Sequence, residues 1–97
     1  MRKLDDIISE LRRLRPGLSR RYPIRAIGVF GSYVRGDQTA ASDLDVLVEM
    51  GGAIGMFDFV GLQQDLSDAL GVKVDLVMKD ALKPRIGQRI LSEVVML

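Results

Sequence analysis

The chain has 97 residues, 47% of them hydrophobic and 28% charged, and a formal net charge of +1. This is material for one small domain around one core, expected to span 1–97 without a second substrate-binding domain, and nothing in its overall charge calls for a polyanionic or membrane partner. It has no cysteine and no histidine, which excludes thiolate and imidazole metal sites and every histidine-dependent triad, so any bound metal must be held by oxygen. The start, Met1 to Asp6, carries two early acids where a secretory signal would have a basic end and an uninterrupted apolar stretch. The expected location is the cytoplasm.

In chain order, Leu4, Ile7, Ile8, Leu11 and Leu14 recur at helical spacing, and Pro16-Gly17 is expected to stop this first helix. A basic connector leads to Ile24–Phe30, which reads as a buried strand, followed by the small-residue turn Gly31-Ser32. A second strand is expected from Leu44 to Glu49, then a mobile loop at Gly51–Gly55. Phe57, Val60, Leu62, Leu66, Ala69 and Leu70 suggest a helix ended by Gly71; Val72–Met78 reads as a third strand and Pro84–Glu93 as a last helix. The expected order is αβ(turn)βαβα. The fold class is α+β (α/β), with a small mixed sheet of three to four strands packed by helices.

The chemistry lies between the first two strands. Asp43 and Asp45 are two residues apart at the head of a strand, so their side chains emerge on one face, roughly 6 to 7 Å apart at the backbone, while Leu44, Val46 and Val48 point into the core. Asp75 sits among Val72, Val74, Leu76 and Val77, an apolar setting in which a lone carboxylate would be costly to bury, so it is expected to have a partner. The intervening helix permits a right-handed crossover to a parallel neighbour, which would set Asp75 beside the Asp43/Asp45 pair. Three clustered carboxylates would repel one another unless cations sat among them, and two Mg²⁺ ions about 4 Å apart would relieve that repulsion. Gly31 lets a phosphate approach the backbone, and Ser32 is expected to cap a short helix facing it. Arg35, one turn on, either clamps a triphosphate or pairs with a carboxylate and braces the loop, the second being favoured. Since Gly31-Ser32 ends one strand while Asp43 and Asp45 begin the next, and both must touch one nucleotide, the two strands should run antiparallel. Phosphoryl transfer needs such parts, because its catalysis is mainly positioning and charge neutralisation.

G-S-x-x-R-G, five residues, then S-D-x-D-x-x-V resembles the signature of the DNA polymerase beta nucleotidyltransferase superfamily, and the small size resembles its minimal, MNT-type branch. The signature covers Gly31 to Val48, and Val34 departs from it, since many members carry a smaller residue before the arginine. The resemblance implies a polymerase beta-like palm, Gly31 and Ser32 as nucleotide-phosphate contacts with Arg35 beside them, and Asp43, Asp45 and Asp75 as catalytic metal ligands, Asp75 also being the base toward an acceptor hydroxyl. It further implies ATP as substrate and Mg²⁺ as cofactor. Similar proteins are commonly antitoxins encoded beside a HEPN-domain ribonuclease toxin, which they neutralise by binding and, in active members, by moving AMP from ATP to a toxin tyrosine. Larger relatives carry a helical domain that holds base and acceptor, so a HEPN partner or a second copy of the chain is expected to complete the site.

Plainer readings stand beside these. S-D-x-D alone could be a capped turn, and Gly31-Ser32 an ordinary helix start. Val94-Val95-Met96-Leu97 is either a packed terminal element, the favoured reading, or a partner contact. Asp37, Asp58, Asp65 and Asp68 are taken as solvated, and Lys73 as a structural partner of Asp75 rather than a phosphate contact. The binding-class alternative is a catalytically silent antitoxin or adaptor acting by occlusion. The cluster Arg12, Arg13, Arg15, Arg20, Arg21 and Arg25 raises nucleic acid as a partner, but with only Tyr22 as a neighbouring aromatic it is not favoured.

Overall fold

The computed structural model describes residues 2–97; Met1, counted in the expected domain, lies outside the described residues. The elements are α1 (Leu4–Arg21), β1 (Ile24–Phe30), α2 (Ser32–Arg35), β2 (Leu44–Met50), α3 (Met56–Leu70), β3 (Val74–Met78), a 3₁₀ turn (Lys79–Ala81), α4 (Pro84–Glu93) and β4 (Val95–Met96). They form one mixed four-stranded sheet in the order β3-β2-β1-β4. As expected, β1 and β2 are antiparallel, and the helical crossover α3 sets β3 parallel to β2.

Alternation along the strands separates two faces of the sheet. Ile27 and Val29 of β1, Leu44, Val46 and Val48 of β2, and Val74 and Leu76 of β3 are buried against Ile7, Ile8, Leu11 and Leu18 of α1 and Leu62, Leu66 and Leu70 of α3. Both long helices therefore cover one face with a single core. The opposite face carries Asp45, Leu47 and Glu49 of β2, alternating with the core residues as strand geometry requires.

The first helix does not stop at Pro16-Gly17; α1 runs through both to Arg21. A helical proline loses one backbone hydrogen bond and crowds the carbonyl one turn back, but the last turn is held by its own C-cap bond and by tertiary contacts. Leu18 is buried, Tyr22 N–H donates to the Leu18 carbonyl at 2.9 Å, and the Arg15 guanidinium donates to the Arg25 carbonyl at 2.9 Å. The Tyr22 hydroxyl in turn donates to Asp65 at 2.8 Å, and Arg21 pairs with the same carboxylate at 3.2 Å, so Asp65 is an anchor between α1 and α3 rather than a purely solvated acid.

The basic cluster is largely engaged by the protein itself. Arg13 pairs with Glu10, Arg21 with Asp65, Arg25 with Glu49, and Arg15 caps the Arg25 carbonyl. The C-terminal residues follow the plainer reading: Val95 and Met96 pair antiparallel with β1, and Leu97 N–H donates to the Ile27 carbonyl at 3.0 Å. The third strand begins at Val74, two residues later than its apolar pattern suggested. No described helix is long and apolar enough to cross a membrane.

Candidate active site

Gly31 is the pivot on which β1 turns into α2. Its backbone lies at φ 81°, ψ −151°, a region essentially reserved for glycine, and a Cβ there would collide with the Asp45 carboxylate. Two independent demands therefore require glycine at one position. Gly31 is itself the N-cap of α2 and Ser32 its first helical residue, with no side-chain cap bond, so the expected capping role of Ser32 is corrected. Gly31 supplies the carbonyl that accepts from Val34 and Arg35 N–H at 3.0 and 3.1 Å, and Gly36 ends the turn in the left-handed conformation at φ 78°. Val34, the departure from the motif, is half-buried against the core, which gives its extra methyl groups a place.

The loop after α2 delivers the carboxylates. Ser42 Oγ accepts from Thr39 N–H at 2.8 Å and Ser42 N–H donates to the Thr39 carbonyl at 3.1 Å, closing a tight turn immediately before Asp43. Leu44 N–H then donates to the Lys73 carbonyl at 2.8 Å, keying β2 to the segment entering β3. From there the register sets Asp45 directly opposite Asp75 across the parallel pair, and opposite Phe30 across the antiparallel pair. The strand ends thus set Asp45 against Gly31, with Asp75 opposite it on β3 and Asp43 two residues upstream.

The three acids are not equivalent. Asp45 is the deepest, and its carboxyl is pushed up to about 6, first by burial and then by the like charges of Asp75 and Asp43, with Arg35 acting against them. Asp43 is half-exposed and lies 3.9 Å from Lys73, a loose surface pair. Asp75 is exposed on the edge strand, so the expectation that it would need a partner to offset burial is corrected: strand alternation turns it away from Val74 and Leu76 toward solvent. Lys73 correspondingly approaches Asp43 instead of Asp75, because it precedes β3 rather than belonging to it.

Arg35 braces, as favoured, but through a residue that motif reading passed over. Its guanidinium donates to Glu93 Oε1 at 2.8 Å and, more weakly, to Asp37 at 3.4 Å. Glu93 Oε2 simultaneously accepts the Gly31 N–H at 2.8 Å. The Arg35 bond, followed by the Gly31 amide, holds the Glu93 carboxyl below the usual carboxylate range. Phe30, Gly31, Arg35 and Asp45 form one wall of a cleft of about 230 Å³ whose other wall is Ile86, Arg89, Ile90 and Glu93 of α4. No spacing rule links Glu93 to Gly31; the only sequence signal was a lone acid at the last position of an amphipathic helix.

Every candidate donor for a metal is a carboxylate oxygen, a set suited to a hard cation such as Mg²⁺, and the mutual repulsion on Asp45 is of the kind that such a cation relieves. Among the described residues, no three acidic side chains already converge on a common metal position. The donors are adjacent but not drawn together.

Carboxylates carried at strand ends beside a glycine turn, on the sheet face opposite the two long helices, fit the chemistry of nucleotidyl transfer. The chain belongs to the nucleotidyltransferase domain family, whose profile matches residues 11–97. It is 43% identical over 95 residues to the protein adenylyltransferase MntA of Thermococcus cleftensis, covering 98% of this chain and 96% of that one. A solved structure described as a candidate minimal nucleotidyltransferase superposes with a TM-score of 0.82 at 31% identity, covering 99% of this chain and 97% of the other. A chain from the complex of a tri-AMPylated Shewanella oneidensis HEPN toxin with an MNT antitoxin matches at TM-score 0.61 and 25% identity, over 95% of this chain and 66% of that one.

Proposed function

We propose that this nucleotidyltransferase is a metal-dependent protein adenylyltransferase that moves AMP from ATP to a hydroxyl of a partner protein, a tyrosine of a HEPN ribonuclease toxin, and so acts as its antitoxin. The observation that carries the reading is the register that sets Asp45 opposite Asp75, with Asp43 on the same face and Gly31 against Asp45. The names of the Thermococcus relative and of the Shewanella complex support the acceptor class.

Asp43, Asp45 and Asp75 would hold Mg²⁺, two ions with nucleotide bound, and the metal would supply charge neutralisation around the triphosphate. Gly31 and Ser32 would receive phosphate oxygens at the backbone, and Arg35 would add a guanidinium beside them. Asp75, exposed on the edge strand, is the acid best placed to meet an incoming acceptor. It would take the proton of the acceptor hydroxyl as that oxygen bonds to the α-phosphorus and the bond to the β-phosphate breaks, releasing pyrophosphate. A docked HEPN partner or a second copy of the chain would add surface for the acceptor and the base of the nucleotide.

The test is incubation of the protein with a candidate HEPN partner, labelled ATP and Mg²⁺, beside Asp43→Ala/Asp45→Ala. Label moving to a partner tyrosine, and lost in the double variant, is the expected outcome. The alternative, a catalytically silent antitoxin acting by occlusion, is separated from this reading by the same experiment. That reading requires a stable complex, no label transfer, and unchanged toxin neutralisation by the double variant.

A further inference from the structure

The Glu93 carboxylate makes two charge-assisted contacts that a phosphate would make. One oxygen accepts the Gly31 N–H at 2.8 Å and the other accepts from the Arg35 guanidinium at 2.8 Å. These are the two groups assigned above to the nucleotide's phosphates. Glu93 comes from the last turn of α4, sixty-two residues beyond Gly31, so the contact belongs to the tertiary fold and not to the local turn. It also stands across a small cleft from Asp45, close enough for its charge to push the Asp45 carboxyl upward.

We propose that Glu93 is a resident anion in the phosphate seat, and that nucleotide enters by exchanging a phosphate for the Glu93 carboxylate on Gly31 and Arg35. Glu93 is then a positioning residue that sets nucleotide affinity. It keeps the Gly31 turn and Arg35 in a binding geometry while no phosphate is present, and it opposes phosphate by occupying the same donors with the same charge. The displaced carboxylate has a destination, because Arg89 lies one turn earlier on α4, at the spacing of a helical ion pair, and its charge already acts on Glu93. The residues on both sides of the exchange are therefore charged and satisfied. This proposal rests on the nucleotide-binding reading of Gly31 and Arg35, and goes beyond it in assigning a competitor.

Glu93→Gln keeps the length and one acceptor oxygen but removes the charge. Calorimetric titration with ATP and Mg²⁺ should show this variant binding about five- to tenfold more tightly than the wild type, since a charge-assisted contact no longer has to be broken. In the transfer assay the KM for ATP should fall with little change in kcat. Equal or weaker ATP binding by a Glu93→Gln variant that is still cooperatively folded at the temperature of the titration would overturn the proposal and leave the nucleotidyltransferase reading intact. Absence of ATP binding to both proteins would overturn both. If the variant folds poorly, carboxylate-resolved NMR of the wild type decides: ATP with Mg²⁺ should move the Glu93 pKa up toward the ordinary range and shift the Gly31 amide. An unmoved Glu93 in nucleotide-saturated protein would overturn the exchange.

Discussion

The two faces of β2 obey opposite rules over seven residues. Leu44, Val46 and Val48 are wholly buried beneath α1 and α3, where shape and apolar area decide everything. Asp45 looks the other way, and there the like charges of Asp75 and Asp43 gather about it at a cost to the fold, whereas Glu49 further along the same face is paired with Lys79 and Arg25. The strand thus carries one face that provides stability and, at the end bearing Asp45 on the other, a site that draws on it. A functional site built from repelling groups is tolerable because the neighbouring residue in the strand is part of a well-packed core.

The sharpest way to break this comparison is to mutate each face in turn. Leu66, fully buried in α3, leaves a cavity when cut to alanine, and Leu66→Ala should lose about 2 to 5 kcal/mol, a large part of the whole stability of a domain this size. Chemical denaturation reads this directly. Asp43→Ala/Asp45→Ala should do the reverse, abolishing adenylyl transfer while unfolding at the same or higher denaturant concentration. A double variant that lost its fold would show that the open face is structural after all.

Gly31 sits where the two regimes meet, so its substitution should damage both. Gly31→Ala forces an alanine into a glycine-only conformation, at about 1 to 3 kcal/mol, and drives a methyl into Asp45. The expected outcome is a moderate fall in the denaturation midpoint together with loss of ATP binding. Gly17→Ala is the control: a Cβ there meets nothing within 4 Å and Gly17 is helical, so this variant should be neutral or slightly stabilising. Equal behaviour of the two would mean that the φ of Gly31 does not limit the site.

What could be read along the chain follows the same division. The apolar periods placed the strands and the core face because burial repeats every two or every 3.6 residues, and the S-D-x-D spacing put Asp43 and Asp45 on one side for the same reason. The antiparallel pairing followed from asking one nucleotide to touch both motifs. Three things were not legible. The path of α1 through Pro16 depended on Leu18 burial and on Tyr22 reaching Asp65, contacts that exist only after folding. The exposure of Asp75 depended on β3 being an edge strand with one open face. Glu93 meets Gly31 only because α4 returns to the sheet just before β4 pairs with β1.

The smallest effect separates two acids of the same cleft by the sign of their pH dependence. Asp45 is pushed up to about 6, from 3.8, so between those values the native state holds its proton more firmly than the unfolded chain does. Stability from this residue is therefore highest at acid pH and falls as pH rises through that window, staying low above it. Glu93 is held below its ordinary value by Arg35 and Gly31, so its contribution is present above about pH 4.5 and is lost as pH falls through its lowered value. In EDTA, Asp45→Asn should be more stable than wild type by about 1 kcal/mol at pH 7.5, the full shift being discounted for a partly solvated carboxylate. That advantage should shrink toward zero near pH 4. Glu93→Gln should show the opposite difference, less stable than wild type at pH 7.5 and converging with it in acid, because the charge it removes is a favourable one. Saturating Mg²⁺ should erase or reverse the Asp45→Asn advantage, since the cation offsets the repulsion that the substitution relieves. Parallel pH profiles for the two variants would mean that Asp45 and Glu93 share one electrostatic environment, and the division between a repelling carboxylate cluster and a satisfied brace would not hold.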